Sequence, residues 1–580
     1  MRRMVVGAAL VAFAVVGAGA GAAHAAGSSL IDAVRNGDTA TVRALLKQPG
    51  GAKAVSPDGT TALHWAVHRD DLAVADLLLK AGADVKAANR FGATPLSMAC
   101  VNGNAAIIER LIAAGADVNA ASAGGATPLM MAARTGRGDA IKVLVQHGAN
   151  VNARELADGQ TALMWAAARN NAEAVTVLIE VGADIKATAP GSRVRPPAAI
   201  VENDTESLGN RTREAGAFKS FQAQKPPTFS ALDYAVREGH LEAVRALVDG
   251  GADVNRELED GSTPLLRAVL NNHHQLAMFL LERGANAKAN RIGWTPLHHV
   301  AVNRRPNVLG PGTPWAIPTG TTDSLDLIRK LVSLGADVNA RMTNDLNTGS
   351  RRIFSRFGAT PFLLAAKTCD VAGMKLLLAL GADSRLRTDA GETATILAAG
   401  LLIWGPGEDP GTEEECLEAT QVALEAAPEQ INVTNVTGDT ALHGAAMRGF
   451  VSIIDYLVDK GAKLDAINDK GWAPWTVADG VFYANHVIGQ PAAKTRLDTL
   501  MADRGLSTDG LKSDPTNFDC VGCTTRTAGQ IAAQKKRQAE WKLEREKSQG
   551  KAERPVYVAG AGAKVKNNNA DDKPDAEPQK

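Results

Sequence analysis

Two markers recur in register along this chain of 580 residues, and nothing else in it constrains the fold so strongly. The first is Thr61-Ala62-Leu63-His64-Trp65-Ala66, repeated as Thr94-Pro95-Leu96-Ser97-Met98-Ala99, Thr127-Pro128-Leu129-Met130-Met131-Ala132 and Thr161-Ala162-Leu163-Met164-Trp165-Ala166. Later copies start at Ser230, Thr263, Thr295, Thr360, Thr393, Thr440 and Ala473, and a step of 33 back from Thr61 lands on Ser28. The second marker is Gly-Ala-Asp/Asn, at Gly82, Gly115, Gly148, Gly182, Gly251, Gly284, Gly335 and Gly381, with Gly461-Ala462-Lys463 as a variant. Anchor and glycine lie 21 residues apart in all of these copies but one. The twelve anchors define repeats one to twelve, and a period near 33 residues belongs to a stacked array rather than to independent domains.

The residue types at the markers predict the local structure. Thr is a good helix N-cap, because its hydroxyl accepts an orphan backbone N–H. Pro follows it where a helix needs no donor. A second helix carries apolar residues at helical spacing, as at Ala73, Val74, Leu77 and Leu78. Gly82 then suits a left-handed helix end, and the polar stretch after it turns the chain outward. Each unit therefore reads as helix, turn, helix and extended loop. No unit can bury its apolar face alone, so neighbours must stack into one continuous core. Composition agrees: aromatics are 4%, so Ala, Leu, Val and Ile must build that core. A hydrophobic content of 45% excludes general disorder, and collagen is excluded because no Gly-X-Y period exists. One apolar run approaches membrane-spanning length, which excludes a multispan protein.

These residues resemble the ankyrin-repeat family, from about Ser28 to about Leu506. The resemblance implies an all-α solenoid of about twelve helix-turn-helix repeats, with a concave inner-helix face and projecting hairpin fingers. It also implies binding of macromolecular partners rather than catalysis. The layout is similar to exported bacterial ankyrin arrays, some of which carry a c-type cytochrome module.

Outside the array, Met1-Arg2-Arg3, an uncharged run to Ala23 and the Ala23-His24-Ala25 triplet read as a signal peptide over residues 1–25, cleaved before Ala26. The alternative is an uncleaved anchor; either reading places the body outside the cytoplasm, periplasmic or secreted. The array then spans 26–506. Four insertions interrupt it, near 186–228, 303–322, 341–357 and 402–414. The first is about one repeat long and carries Pro190, Pro196, Pro197, Arg193, Arg195, Arg211 and Arg213, without either marker. It reads as a long loop on the finger edge, suited to an anionic partner or merely solvated. Residues 507–580 form a charged, largely disordered tail, with eleven Lys/Arg against four Asp/Glu from Arg526 to Lys566.

Counting the capping residue as zero, positions seven and eight end the first helix and should face the concave groove. The candidates there are His68, Arg69, Asn102, Arg134 and Arg169, continuing with Arg237, Asn271, Asn303, Lys367 and Arg448. Arg, Lys and Asn dominate, so the groove is expected to be more cationic than a chain with zero formal net charge, favouring acidic or phosphate-bearing partners. Trp65 and Trp165 recur at position four, with His299 in the equivalent slot; they read as packing against the next repeat, with exposed anchors as the alternative. His64, His298 and His443 read as capping and packing groups, and Trp472, Trp475 and Phe482 as a closing cap.

No phosphate-binding loop, nucleophile elbow or zinc-protease helix is present, and no catalytic residue, metal or cofactor is assigned. Cys100, Cys369 and Cys416 fall within repeats and read as packing residues or unpaired thiols. Cys520 and Cys523 form a C-x-x-C in the tail, but Thr524 stands where c-type haem attachment needs His, so a local disulfide or redox pair is expected. The expected function is an exported scaffold that binds protein through groove and fingers. It is expected to be monomeric, without nucleic acid and without a membrane span beyond the leader. Two alternatives stay open: a thiol-redox or electron-transfer accessory using Cys520 and Cys523, and an envelope polyanion binder using the basic inserts and tail.

Overall fold

A computed structural model describes residues 25–48, 51–190, 227–290, 293–305, 320–343, 357–401, 411–483, 486–511 and 536. The segment before Ala25 that is expected to be a leader, most of each insertion, and the tail with Cys520 and Cys523 lie outside the described residues. The chain divides into two units, Met1–Gly191 with Pro227–Trp541, and Ser192–Pro226 with Lys542–Lys580. The second lies wholly outside the described residues.

The described residues hold twelve helix pairs, one for each anchor. The fold is the all-α solenoid that the markers predict. Repeat two shows the local logic. Thr61 is extended, its hydroxyl accepts from His64 N, and Ala62–His68 forms the first helix. Asp71 caps the second helix, Leu72–Lys80, by accepting from Val74 N. The same capping holds at Thr94, Thr127, Thr161, Ser230, Thr263, Thr295, Thr360, Thr393 and Thr440. At the last anchor Ala473 has no hydroxyl, and Thr476 accepts from Ala473 N instead.

Position nine makes the tight turn between the two helices, and it requires left-handed backbone. Gly103, Gly136, Gly239 and Gly449 stand there with φ of 76°, 81°, 75° and 79°. Asp70, Asn170 and Asn272 take the same slot at φ of 58° to 60°, as the short polar side chains that tolerate it best. Cys369 also occupies it, at φ 51°.

Repeats are joined by two ladders. The asparagine four residues after the marker glycine reaches into the next repeat: Asn152 Nδ2 donates to Gly182 O (3.3 Å), and its Oδ1 accepts from Asp184 N (2.8 Å). Asn119, Asn255 and Asn339 do the same. Finger tips also bond backbone to backbone, as Arg90 N to Asp58 O (2.8 Å) and Asp389 N to Phe357 O (2.7 Å). The core between the helix layers is Leu, Ile, Val and Ala, with Leu78, Leu111, Leu144 and Leu178 buried in successive second helices. Burying one such side chain contributes about 1.5–3 kcal/mol.

Two insertions extend fingers. Ala189–Pro190 pairs antiparallel with Thr228–Phe229 at the root of the first, and Met342 N to Ala359 O (2.9 Å) closes another. The other two interrupt the turn between helices, after Pro296–Asn303 in repeat eight and after Ala394–Ala398 in repeat ten. In repeat twelve a short hairpin, Val481–Tyr483 with His486–Ile488, precedes the last helix, Pro491–Asp503. Trp475 is buried there and donates to Asp498 Oδ1 (2.6 Å); the Phe482 side chain lies outside the described residues.

The cysteines require a correction. Cys369 and Cys416 are neither packing residues alone nor free thiols: they form a disulfide between the turn of repeat nine and the second helix of repeat ten. Spacing hid the pair, because Cys416 follows the insertion near 402–414, which takes it out of the repeat register. Cys100 is a free buried thiol, and burial pushes its pKa up.

Candidate partner-binding site

Positions four, seven and eight lie on one side of each first helix, three or four residues apart. In repeats two to five this face is open. Trp65, Met98, Met131 and Trp165 at position four are half-buried, packing one edge on the core and leaving the other exposed. Beyond repeat five the same row closes. Tyr234, His299, Leu364 and Leu397 are buried, the last at 0% exposure. Trp294 stacks on His299 with ring centroids 4.8 Å apart. At Gly444 a Cβ would lie 2.7 Å from Leu401 N, so Leu401 covers position four of repeat eleven and only glycine fits beneath it.

The ten candidate residues divide only in part along this boundary. His68, Arg69 and Arg169 are exposed, and Arg134 is half-buried. His68 stands edge-on to Trp65 (5.6 Å), and Arg69 donates to Arg35 O (3.0 Å). Among the described residues, Arg134 and Arg169 make no side-chain ion pair. The asparagines do structural work: Asn102 donates to Val67 O (2.7 Å), Asn303 to Val269 O (3.2 Å) and Asn271 to Arg267 O (3.0 Å). Arg237 bonds Glu238 (2.9 Å) and lies over the rings of Phe229 and Tyr234. Arg448 donates to Gly411 O (3.3 Å). Lys367 is 7% exposed and donates from Nζ to Leu401 O (2.9 Å), so it holds its own neighbour.

The histidines after the capping threonines are bridges. Thr61 N donates to His64 Nδ1 (3.1 Å), which leaves the Nε2 hydrogen for Ala93 O of the next repeat (2.9 Å). His298 and His443 repeat the arrangement toward Ala340 O and Trp472 O. Burial lowers all three pKa values, that of His298 to about 4. Glu392 shows the converse: burial raises its carboxyl to about 7, and Thr388 donates to it.

Sequence reasoning missed a cluster on the turn edge of repeats eight to eleven. Arg304 bonds the buried Asp370 (2.6 Å) and Ser324, while Arg305 donates to Cys369 O (3.1 Å) and pairs with Glu415. Glu413 accepts from Ser452 N (2.8 Å). The Arg304-Arg305 doublet beside an insertion was the available signal. No group of three His, Cys, Asp or Glu is placed to hold a metal among the described residues. Nor is any of their helices long and apolar enough to cross a membrane.

Comparison with known proteins agrees with this architecture. The profile for ankyrin repeats in three copies matches residues 30–122, 119–189 and 232–309, and that for many copies matches 413–458. The ankyrin repeat protein FPV031 of fowlpox virus is 38% identical over 139 residues, 21% of this chain and 41% of that protein. The E3 ubiquitin-protein ligase KEG of Arabidopsis thaliana is 27% identical over 293 residues, 48% of this chain and 18% of the ligase. The human transient receptor potential cation channel subfamily A member 1 is 30% identical over 249 residues, 43% of this chain and 19% of the channel. The chain thus spans less than half the length of these relatives, and ankyrin repeats imply protein–protein interaction. With its paired markers, twelve helix pairs and matched segments, the chain belongs to the ankyrin-repeat family.

Proposed function

We propose that the chain is an exported, non-catalytic scaffold that binds protein through the first-helix face and fingers of its N-terminal repeats. The open face of repeats two to five carries this reading. Its half-buried Trp and Met row is flanked by exposed cations, whereas the equivalent row is buried from repeat six to repeat eleven except at Arg267. Large side chains held half-exposed on rigid helices can bury area against a partner at low conformational cost. Export rests on the leader pattern of residues 1–25 and is supported by the Cys369–Cys416 disulfide, since such bonds persist in oxidising compartments.

Photo-crosslinking residues placed singly at 68, 134 and 169 in cells test the binding face, read by mass spectrometry. A protein captured at these sites and not from position 329, on the second helix of repeat eight, is expected. Equal capture from both would remove the face assignment. Export is tested by joining residues 1–30 to a phosphatase that is active only outside the cytoplasm, and by sequencing the mature amino terminus, expected at Ala26. An inactive fusion would overturn it.

A further inference from the structure

We infer that the open face of repeats two to five takes an acidic segment of a partner protein that also carries apolar side chains. The inference rests on the proposed binding face and names the chemistry of its occupant. Positions seven and eight of repeats one to five contain Arg35, His68, Arg69, Arg134 and Arg169, and no acid. Acids lie beside the first two of these sites: Asp32 is 3.7 Å from Arg35, Asp70 accepts from Asn104 Nδ2 (2.8 Å), and Asp71 caps its helix. At positions seven and eight themselves the charges are of one sign, which favours an anionic partner and disfavours a cationic one.

The apolar row decides between anionic partners. A polyphosphate or sulfated polymer would use the cations and leave Trp65, Met98, Met131 and Trp165 in water. A protein segment can use both, setting Leu, Met or Phe against the row and Asp or Glu against the arginines. Packed helices sit about 8–10 Å apart, so three repeat steps from Trp65 to Trp165 span roughly 30 Å. That is about nine residues of extended chain at 3.3 Å each. Among the described residues, repeats eight to twelve offer no equivalent site. Their position-four row is buried, Lys367 is spent on Leu401 O, and Leu401 covers Gly444.

The test uses the full-length oxidised protein and a random 16-residue peptide display library. Selected peptides should be enriched in Asp and Glu interleaved with Leu, Met or Phe, and should crosslink to repeats two to five. Their Kd should rise at least tenfold in an Arg134→Glu/Arg169→Glu variant, about fivefold in Met98→Gln/Met131→Gln, and not at all in Arg329→Glu. Peptides that crosslink to this face without acidic enrichment overturn the inference and leave the binding face standing. Peptides that map elsewhere, or a library that yields none, overturn both. Polyphosphate binding that matches the peptides and ignores Met98→Gln/Met131→Gln overturns the choice of a protein segment.

Discussion

Cys369 is disulfide-bonded to Cys416 across 47 residues, and Cys369 occupies the left-handed turn slot that Gly, Asn or Asp fills in other repeats. The bond pins the second helix of repeat ten to the turn of repeat nine, where an insertion separates that helix from its own partner. On a loop-entropy account, closing a loop of this length contributes about 4 kcal/mol, and usually less when measured. Because stability in a repeat array is shared mainly with neighbours, its loss should be local. Reduction, or Cys369→Ser, should lower the urea midpoint of a C-terminal transition and raise hydrogen exchange in repeats nine and ten. In a Cys416→Ala background, Cys369→Gly should be more stable than Cys369→Ser by about 1 kcal/mol, because glycine relieves the left-handed backbone. An unchanged midpoint after reduction would show that the ion pairs of Arg304 and Arg305 suffice without the bond.

The buried histidine bridges predict an acid limb to stability. His298 keeps its pKa near 4 in the fold, against an ordinary value of 6.5. As pH falls from about 6.5 to 4, the unfolded chain binds the proton first, so folding weakens across that window. The shift corresponds to roughly 3 kcal/mol for this fully buried group. His64 and His443 act in the same sense. Glu392, raised from 4.5 to about 7, acts oppositely over nearly the same window: its contribution is present below about pH 4.5 and is lost as pH rises through 7, which offsets part of the histidine limb. With three histidines against one carboxyl, urea midpoints should rise from pH 4 to about 7 and level off above it. His298→Asn should flatten this limb, and Glu392→Gln should steepen it by removing the opposing group. A Glu392→Gln midpoint that is level between pH 7 and 4.5 would mean that the bridge tolerates a charged ring.

The parts of this fold that were legible in sequence are those set within one repeat. Thr94 and Gly115 declare a cap and a turn through their own backbone needs, so the helix pairs and their number could be read directly. What lay between repeats was hidden. Cys369 gives no sign that an insertion returns Cys416 to its side. Lys367 and Arg169 share the end of the first helix, yet one is buried beneath Leu401 and the other is exposed. Periodicity assigns the same face to both, and only the covering chain separates them.

The asparagine ladder should be the most uniform energetic element of the array. Asn152 satisfies Gly182 O and Asp184 N of the next repeat, groups that a helix end and a turn leave unpaired. Asn152→Ala should cost about 1–2 kcal/mol. Asn152→Asp should cost a similar amount, because it keeps the acceptor for Asp184 N but loses the donor and sets a second carboxylate beside Asp184. Calorimetric melting of both variants checks this. An Asn152→Asp protein as stable as the parent would show that the donor half contributes little.

The cations of the first-helix face should separate cleanly under charge reversal. Arg134 and Arg169 make no ion pair among the described residues and keep water contact, so Arg134→Glu and Arg169→Glu should each change stability by less than about 0.5 kcal/mol. Lys367 is different. Its ammonium is buried against Leu401 O and favours the charge of the buried Glu392, so a carboxylate there would face a backbone carbonyl and a second buried acid. Lys367→Glu should destabilise by several kcal/mol, as burial of an uncompensated charge does. Lys367→Met, which keeps the stem and removes the charge, should cost less, because the hydrogen bond to Leu401 O is lost but no charge is left facing that carbonyl. Denaturation midpoints of the four variants decide the matter. Should Lys367→Glu unfold no more easily than Arg169→Glu, the C-terminal face would have to be open, and the binding surface would extend beyond repeat five.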